Sequence, residues 1–177
     1  VFGIYLLVAA LPASGRRPLA DRNASAVLAF EQWLHVDVEK ALNTWLAGRP
    51  VLMVIANYEY AYVYVIGAFG LLFWMYFRRP DGYPVARDSF IALNLIAIGC
   101  FALFPLTPPR LLPALGYVDT VAEGATFGSW GSPLIPHANE LAAMPSLHVA
   151  WALWISVILA RGGHAVAFQV VAAVHVA

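Results

Sequence analysis

A proline, a hydroxyl and an imidazole fall within four consecutive positions, Pro145-Ser146-Leu147-His148, after the apolar triplet Ala142-Ala143-Met144. Proline is favoured at the first position of a helix, where its N–H would have no partner anyway. A helix starting near Pro145 leaves the amides of Ser146, Leu147 and His148 without intrahelical acceptors, at the positive end of the helix dipole. Such an end binds anions. The Ser146 hydroxyl adds a donor beside those amides. His148 is the group in this cluster that titrates near neutrality, so it can give a proton to a departing oxygen. Together they suit phosphoryl transfer on a lipid, which depends chiefly on positioning and charge stabilisation. The same residues also fit a plainer arrangement, a capping serine and a packed core histidine.

A second cluster is Thr107-Pro108-Pro109-Arg110-Leu111-Leu112-Pro113. Prolines on both sides restrict the backbone around Arg110. A planar guanidinium can grip two phosphate oxygens at once. Taken alone, Arg110 also fits an interfacial arginine whose stem lies along apolar surface.

The elements that must position these clusters are apolar helices. Hydrophobic residues make up 62% of the 177 residues and charged residues 11%, with mean hydropathy +0.73. Soluble domains are nearer half apolar and a quarter charged. A disordered chain and an ordinary cytosolic enzyme are therefore excluded. The 10 basic and 10 acidic residues balance, which leaves no basic footprint for nucleic acid. Cys100, the single cysteine, excludes an internal disulfide framework. The fold expected is all-α, a polytopic membrane helical bundle forming a single membrane-embedded domain over residues 1–177.

Three stretches are apolar enough to span: Val51–Phe77, Phe90–Leu106 and Ala142–Ala160. The apolar ends, Val1–Leu11 and Ala165–Ala177, fall short of the ~20 residues a membrane helix needs. They read as truncated helices, so the sequence is expected to be part of a longer polypeptide. From Ser25 to Gly48, Leu34, Val38, Leu42 and Trp45 recur at helical spacing. This amphipathic segment is a helix pair that either lies on the membrane surface or packs as a hairpin on the bundle. Asp37 is expected to cap its second helix, and Gly48 with Pro50 to end it. Tyr58, Tyr60, Tyr62 and Tyr64 alternate like a strand, but no other segment does, so they read as an interfacial belt with Glu59 solvated among them. The loop 78–88 carries three arginines and the loop 161–164 one; they share a side by helix parity and read as cytoplasmic. The long 107–141 segment then lies outside, with Arg110 and Pro145 at one face. Arg16 and Arg17 argue the other way.

Pro145-Ser146-Leu147-His148 resembles the Pro-Ser-Gly-His block of the type 2 phosphatidic-acid phosphatase superfamily. Leu147 in place of glycine, the flanking Ala142-Ala143-Met144 and Val149-Ala150-Trp151, and Phe104-Pro105 with Pro108-Pro109-Arg110 are similar to the branch containing inositol phosphorylceramide synthase. The resemblance runs from about Asp37 to Ala160. It implies a bundle of about six transmembrane helices in the full chain and a metal-independent reaction through a phosphohistidine. It also implies that Ser146 and Leu147 bind phosphate, that His148 protonates the leaving group, and that Arg110 is the phosphate-binding arginine of the first block.

Two departures stand out. The first block is usually Lys-x6-Arg-Pro, and the lone lysine here, Lys40, lies far upstream. The third block, with the nucleophilic histidine and an aspartate four residues later, is not present. His175 and His164 lack its pattern, so the nucleophile is expected beyond Ala177. Asn139, beside His137 and Glu140, is expected to orient a substrate hydroxyl or to cap the following helix. His35 reads as a surface residue. No cofactor is expected, and no His/Asp/Glu grouping has metal-ligand spacing.

The function expected is a lipid phosphatase or phosphotransferase at the outer face of a bacterial plasma membrane. Its substrate is a lipid phosphate, and the acceptor is water or a polar alcohol such as inositol or another sugar. The alternative is a non-catalytic membrane subunit or lipid-binding scaffold that keeps the anion pocket.

Overall fold

The computed structural model describes residues 2–9, 12–36, 38–112, 115–126 and 141–162. Among these residues every regular element is helical, apart from one isolated bridge. The continuous apolar run after Pro50 forms α4 (Pro50–Tyr58), a five-residue π turn (Glu59–Val63) and α5 (Tyr64–Arg78) in unbroken succession. At 29 residues this unit is long and apolar enough to cross a membrane. So is α6 (Tyr83–Leu103), with 21 residues.

The third span begins earlier than its polar Arg87-Asp88 pair suggested. Gly82 caps α6 and Pro84 sits in its first turn, where a missing N–H is harmless. The Arg87 guanidinium binds the neighbouring Asp88 carboxylate at 2.8 Å, so the pair rides on an exposed turn of helix. The last span begins later than expected. Residues 141–146 are not helical, and α8 runs from Leu147 to Arg161. The alternating tyrosines are helical, divided between α4, the π turn and α5.

α5, α6 and α8 share the core. Ala68 and Met75, Ala86 and Phe90, and Trp154, Ile155 and Ile158 pack together. At Gly67 the α5 backbone comes close to an α8 side chain: an added Cβ there would meet Ile155 Cδ1 at 3.2 Å. Between lipid-embedded helices such packing acts through dispersion, because the tails are as apolar as the side chains. Two interhelical hydrogen bonds add direction. The Trp154 indole donates to Ser89 Oγ at 3.0 Å, and the Trp151 indole donates to Asn94 Oδ1 at 3.3 Å.

The amphipathic segment resolves into α2 (Ala13–Trp33) and α3 (Glu39–Ala47), ended at Gly48 as expected. α2 starts well before Ser25. Asp37 lies outside the described residues, and Val38, with no side-chain cap, precedes α3. A short helix α1 (Phe2–Ala9) packs on α6.

α2 is a brace for the arginine segment. Arg16 donates to the carbonyls of Phe101 and Ala102, at 2.6 and 2.9 Å, where α6 ends. A cation belongs there, beside carbonyls that lack helical donors. Arg17 donates to the Leu111 carbonyl at 2.7 Å and Asn23 to that of Pro105 at 2.8 Å. The fully buried Thr107 donates its hydroxyl to the Asp21 carboxylate at 2.6 Å.

Candidate active site

The site is built where two loops meet. After α6 the chain turns through Pro105 and Leu106. The Leu106 amide donates to the Leu141 carbonyl at 2.9 Å, and the Ala143 amide donates to the Leu106 carbonyl at 3.3 Å. This parallel bridge between Leu106 and Ala142 joins the two chemically suggestive clusters through their backbones. Proline-rich sequence then winds Pro109–Leu111 into a short 3₁₀ turn that carries Arg110.

On the other side of the bridge, Ser146 is the N-cap of α8. Its backbone is extended, and its Oγ accepts from the Val149 amide at 3.4 Å. The sequence expectation put Pro145 at the first helical position; it stands one residue before the cap instead. Serine is a strong capping residue, and residues 141–143 are already committed to the bridge. Among the described residues, the first-turn amides left without an acceptor are therefore those of Leu147 and His148. The Ser146 hydroxyl keeps its proton for donation.

Arg110, Ser146, Leu147 and His148 line one cavity of about 1120 Å³. Its outer wall carries Glu39, Asn43, Asn57, Asp119 and Thr120, whereas Val65, Phe69, Leu72, Phe90 and Ile98 line it toward the bundle. The outer wall is fastened to the helices. Asn43 donates to the Val118 carbonyl and accepts from its amide, at 3.0 and 2.9 Å. Asn57 donates to the Thr120 carbonyl and the Thr126 hydroxyl, at 2.7 and 2.9 Å.

Asp119 caps the short helix α7 (Thr120–Glu123) by accepting from the Val121 and Ala122 amides, both at 3.2 Å. The same carboxylate oxygen lies 3.9 Å from Arg110 Nη1. The Arg110 side chain is only 20% exposed, and its guanidinium thus faces an anion of the protein's own at the edge of the cavity.

Tyr60 lies flat on the His148 imidazole, with ring centroids 3.6 Å apart and planes 12° from parallel. Tyr64 meets the same imidazole edge-on at 4.2 Å. His148 Nε2 is sealed from solvent and has no hydrogen-bond partner among the described residues. The tyrosines were read from the sequence as a belt facing lipid headgroups. Tyr58 and Tyr62, stacked at 6.2 Å, remain exposed, but Tyr60 and Tyr64 turn to the histidine and line the cavity. Their four-residue spacing, which puts them on one helical face, is the signal that the alternating pattern concealed.

His35 lies in the exposed turn after α2. Asn139, His137, Glu140, His164 and His175 lie outside the described residues.

No curated protein and no solved structure matches the chain. A family model described as PAP2 superfamily matches residues 25–177, a range that takes in α3 through α8 and every site residue named above. The chain belongs to the PAP2 superfamily, a family of phosphatases and phosphotransferases.

Proposed function

We propose that the protein is an integral-membrane lipid phosphatase or phosphotransferase. It cleaves or transfers a lipid phosphate ester at the extracytoplasmic face, through a phosphohistidine and without a metal. The observation that carries this reading is the meeting of Arg110, Ser146, Leu147 and His148 on one cavity, joined by the Leu106–Ala142 bridge. The guanidinium and the amides of Leu147 and His148 hold the phosphate oxygens, and the Ser146 hydroxyl donates beside them. A nucleophilic histidine attacks phosphorus while the P–O bond to the lipid alcohol breaks. His148 gives its proton to the departing oxygen. Water, or an alcohol such as inositol or another sugar, then takes the phosphoryl group and releases the nucleophile.

The apolar wall formed by Val65, Phe69, Leu72, Phe90 and Ile98 suits a substrate with a hydrocarbon chain. The arginines at the far ends of α5 and α8, Arg78 and Arg161, support a cytoplasmic side opposite the site. A bacterial plasma membrane is the setting this reading takes. The likeness of Leu147 and the Pro108-Pro109-Arg110 segment to the inositol phosphorylceramide synthase branch favours transfer to an alcohol over hydrolysis.

The test uses the full chain in proteoliposomes, supplied with phosphatidate, a polyprenyl phosphate or a phospholipid donor, with and without inositol. Phosphate release, or inositol phosphate formed together with the freed lipid alcohol, is expected and is insensitive to EDTA. A folded protein that neither hydrolyses nor transfers any of these phosphates, while still binding the lipid, is the scaffold alternative and ends the enzymatic reading.

A further inference from the structure

The π turn Glu59–Val63 interrupts an otherwise continuous membrane helix beside the histidine. Such wide turns are uncommon overall and are frequent at functional sites. This one carries Tyr60, whose ring covers the face of the His148 imidazole. Tyr64, at the start of α5, meets that imidazole edge-on and is itself only 7% exposed, packed edge-on against Trp151 at 5.7 Å. The other ring neighbour on α8 is thus part of the same cluster. Tyr60 is 50% exposed, where it borders the cavity.

An imidazole has a broad, roughly two-fold torsion about its last side-chain bond. A hydrogen-bonded partner often fixes that angle, but Nε2 of His148 has none among the described residues. Aromatic surfaces on one face and one edge restrict the ring instead, and stacked or edge-on pairs contribute attraction beyond burial. Resting on the proposed role of His148 as proton donor, we infer that Tyr60 is a positioning residue for this reaction. Its ring, presented by the π turn and backed by Tyr64, holds the imidazole at the angle from which its proton reaches the leaving oxygen. The work is done by the ring face, and the hydroxyl is dispensable.

The experiment compares native protein, Tyr60→Phe, Tyr60→Leu and His148→Gln, each as the full chain in micelles with a short-chain lipid phosphate. Turnover is measured alongside ¹H–¹³C spectra of histidine-labelled protein, with His148 assigned by its loss in His148→Gln. Native His148 ring protons are expected upfield of those of free histidine, from the stacked ring. Tyr60→Phe keeps that shift and native turnover within about threefold, whereas Tyr60→Leu loses the shift and lowers kcat on the order of ten- to a hundredfold, with KM nearly unchanged. A native spectrum without the upfield shift overturns the assignment, and it does so even where Tyr60→Leu fails to fold. Equal losses in Tyr60→Phe and Tyr60→Leu overturn it in favour of the hydroxyl. Native turnover in Tyr60→Leu overturns it as well. If His148→Gln itself retains full turnover, the proton-donor reading fails first, and the spectra still report whether the ring is held.

Discussion

Leu106 and Ala142 pair across a parallel bridge, with the Leu106 backbone both donating to residue 141 and accepting from residue 143. The arginine turn and the serine–histidine helix start consequently move as one backbone unit. Ala143→Pro removes the donor of one bond, at a cost of about 1 kcal/mol. Its turnover should fall by more than its stability, since a small misplacement of reacting groups is amplified in rate. Thermal unfolding in detergent and turnover at saturating lipid check this, with Ala143→Val, which keeps the N–H, as the control.

Replacing the imidazole tests its chemistry. His148→Gln should lower turnover by on the order of 10²–10⁴, with helix content and melting temperature near native. Near-native phosphate release in a folded variant would remove His148 from the role of acid.

Arg110 and Asp119 make opposite predictions. Arg110→Lys leaves a point charge where a planar fork was, so KM for the lipid phosphate should rise. Asp119→Asn preserves the cap of α7, because asparagine accepts as well as aspartate there. It removes the carboxylate that competes with substrate for the guanidinium. At 3.9 Å and partial exposure the expected gain in affinity for inorganic phosphate is modest, up to about fivefold. Titration calorimetry or competitive inhibition by phosphate reads both variants.

The Asp21 carboxyl is held below the ordinary carboxylate range. The Thr107 hydroxyl is the main cause, slight burial opposes it, and Arg17 adds in the same direction. A depressed carboxyl stabilises the fold above its unfolded pKa, and that contribution is lost as pH falls through the folded value. Thr107→Val should therefore destabilise the protein at neutral pH by less than about 1 kcal/mol, because solvent screens the 40%-exposed carboxylate. The difference from native should shrink in melts run below about pH 4. A constant difference across that range would assign the loss to packing of the buried threonine alone.

The long helices were legible because their signals are local and continuous. An apolar run from Val51 closed by Arg78-Arg79-Pro80 leaves little choice of ends. The displaced ends have local causes too. A serine cap outweighed a proline start at 145–147, and a polar pair at 87–88 was carried on an exposed face of α6. Distant pairings left no such trace. Nothing in the neighbourhood of Leu106 announces Ala142, and nothing near Ala13 announces that α2 will hold the arginine loop with Arg17, Asp21 and Asn23. Arg110, Ser146 and His148 could be named because each carries chemistry of its own. Tyr60 acts through a ring that belongs to another helix, so its part became visible only in three dimensions.

The two indole bonds from α8 to α6 fix more than distance. Trp151 and Trp154 sit three and six residues beyond His148, and both N–H groups reach polar atoms on a single neighbouring rod. Any spin of α8 about its long axis, even by one residue's arc, breaks both at once. The azimuth of the first turn, and with it the heading of the imidazole, is thereby clocked from well below the chemistry.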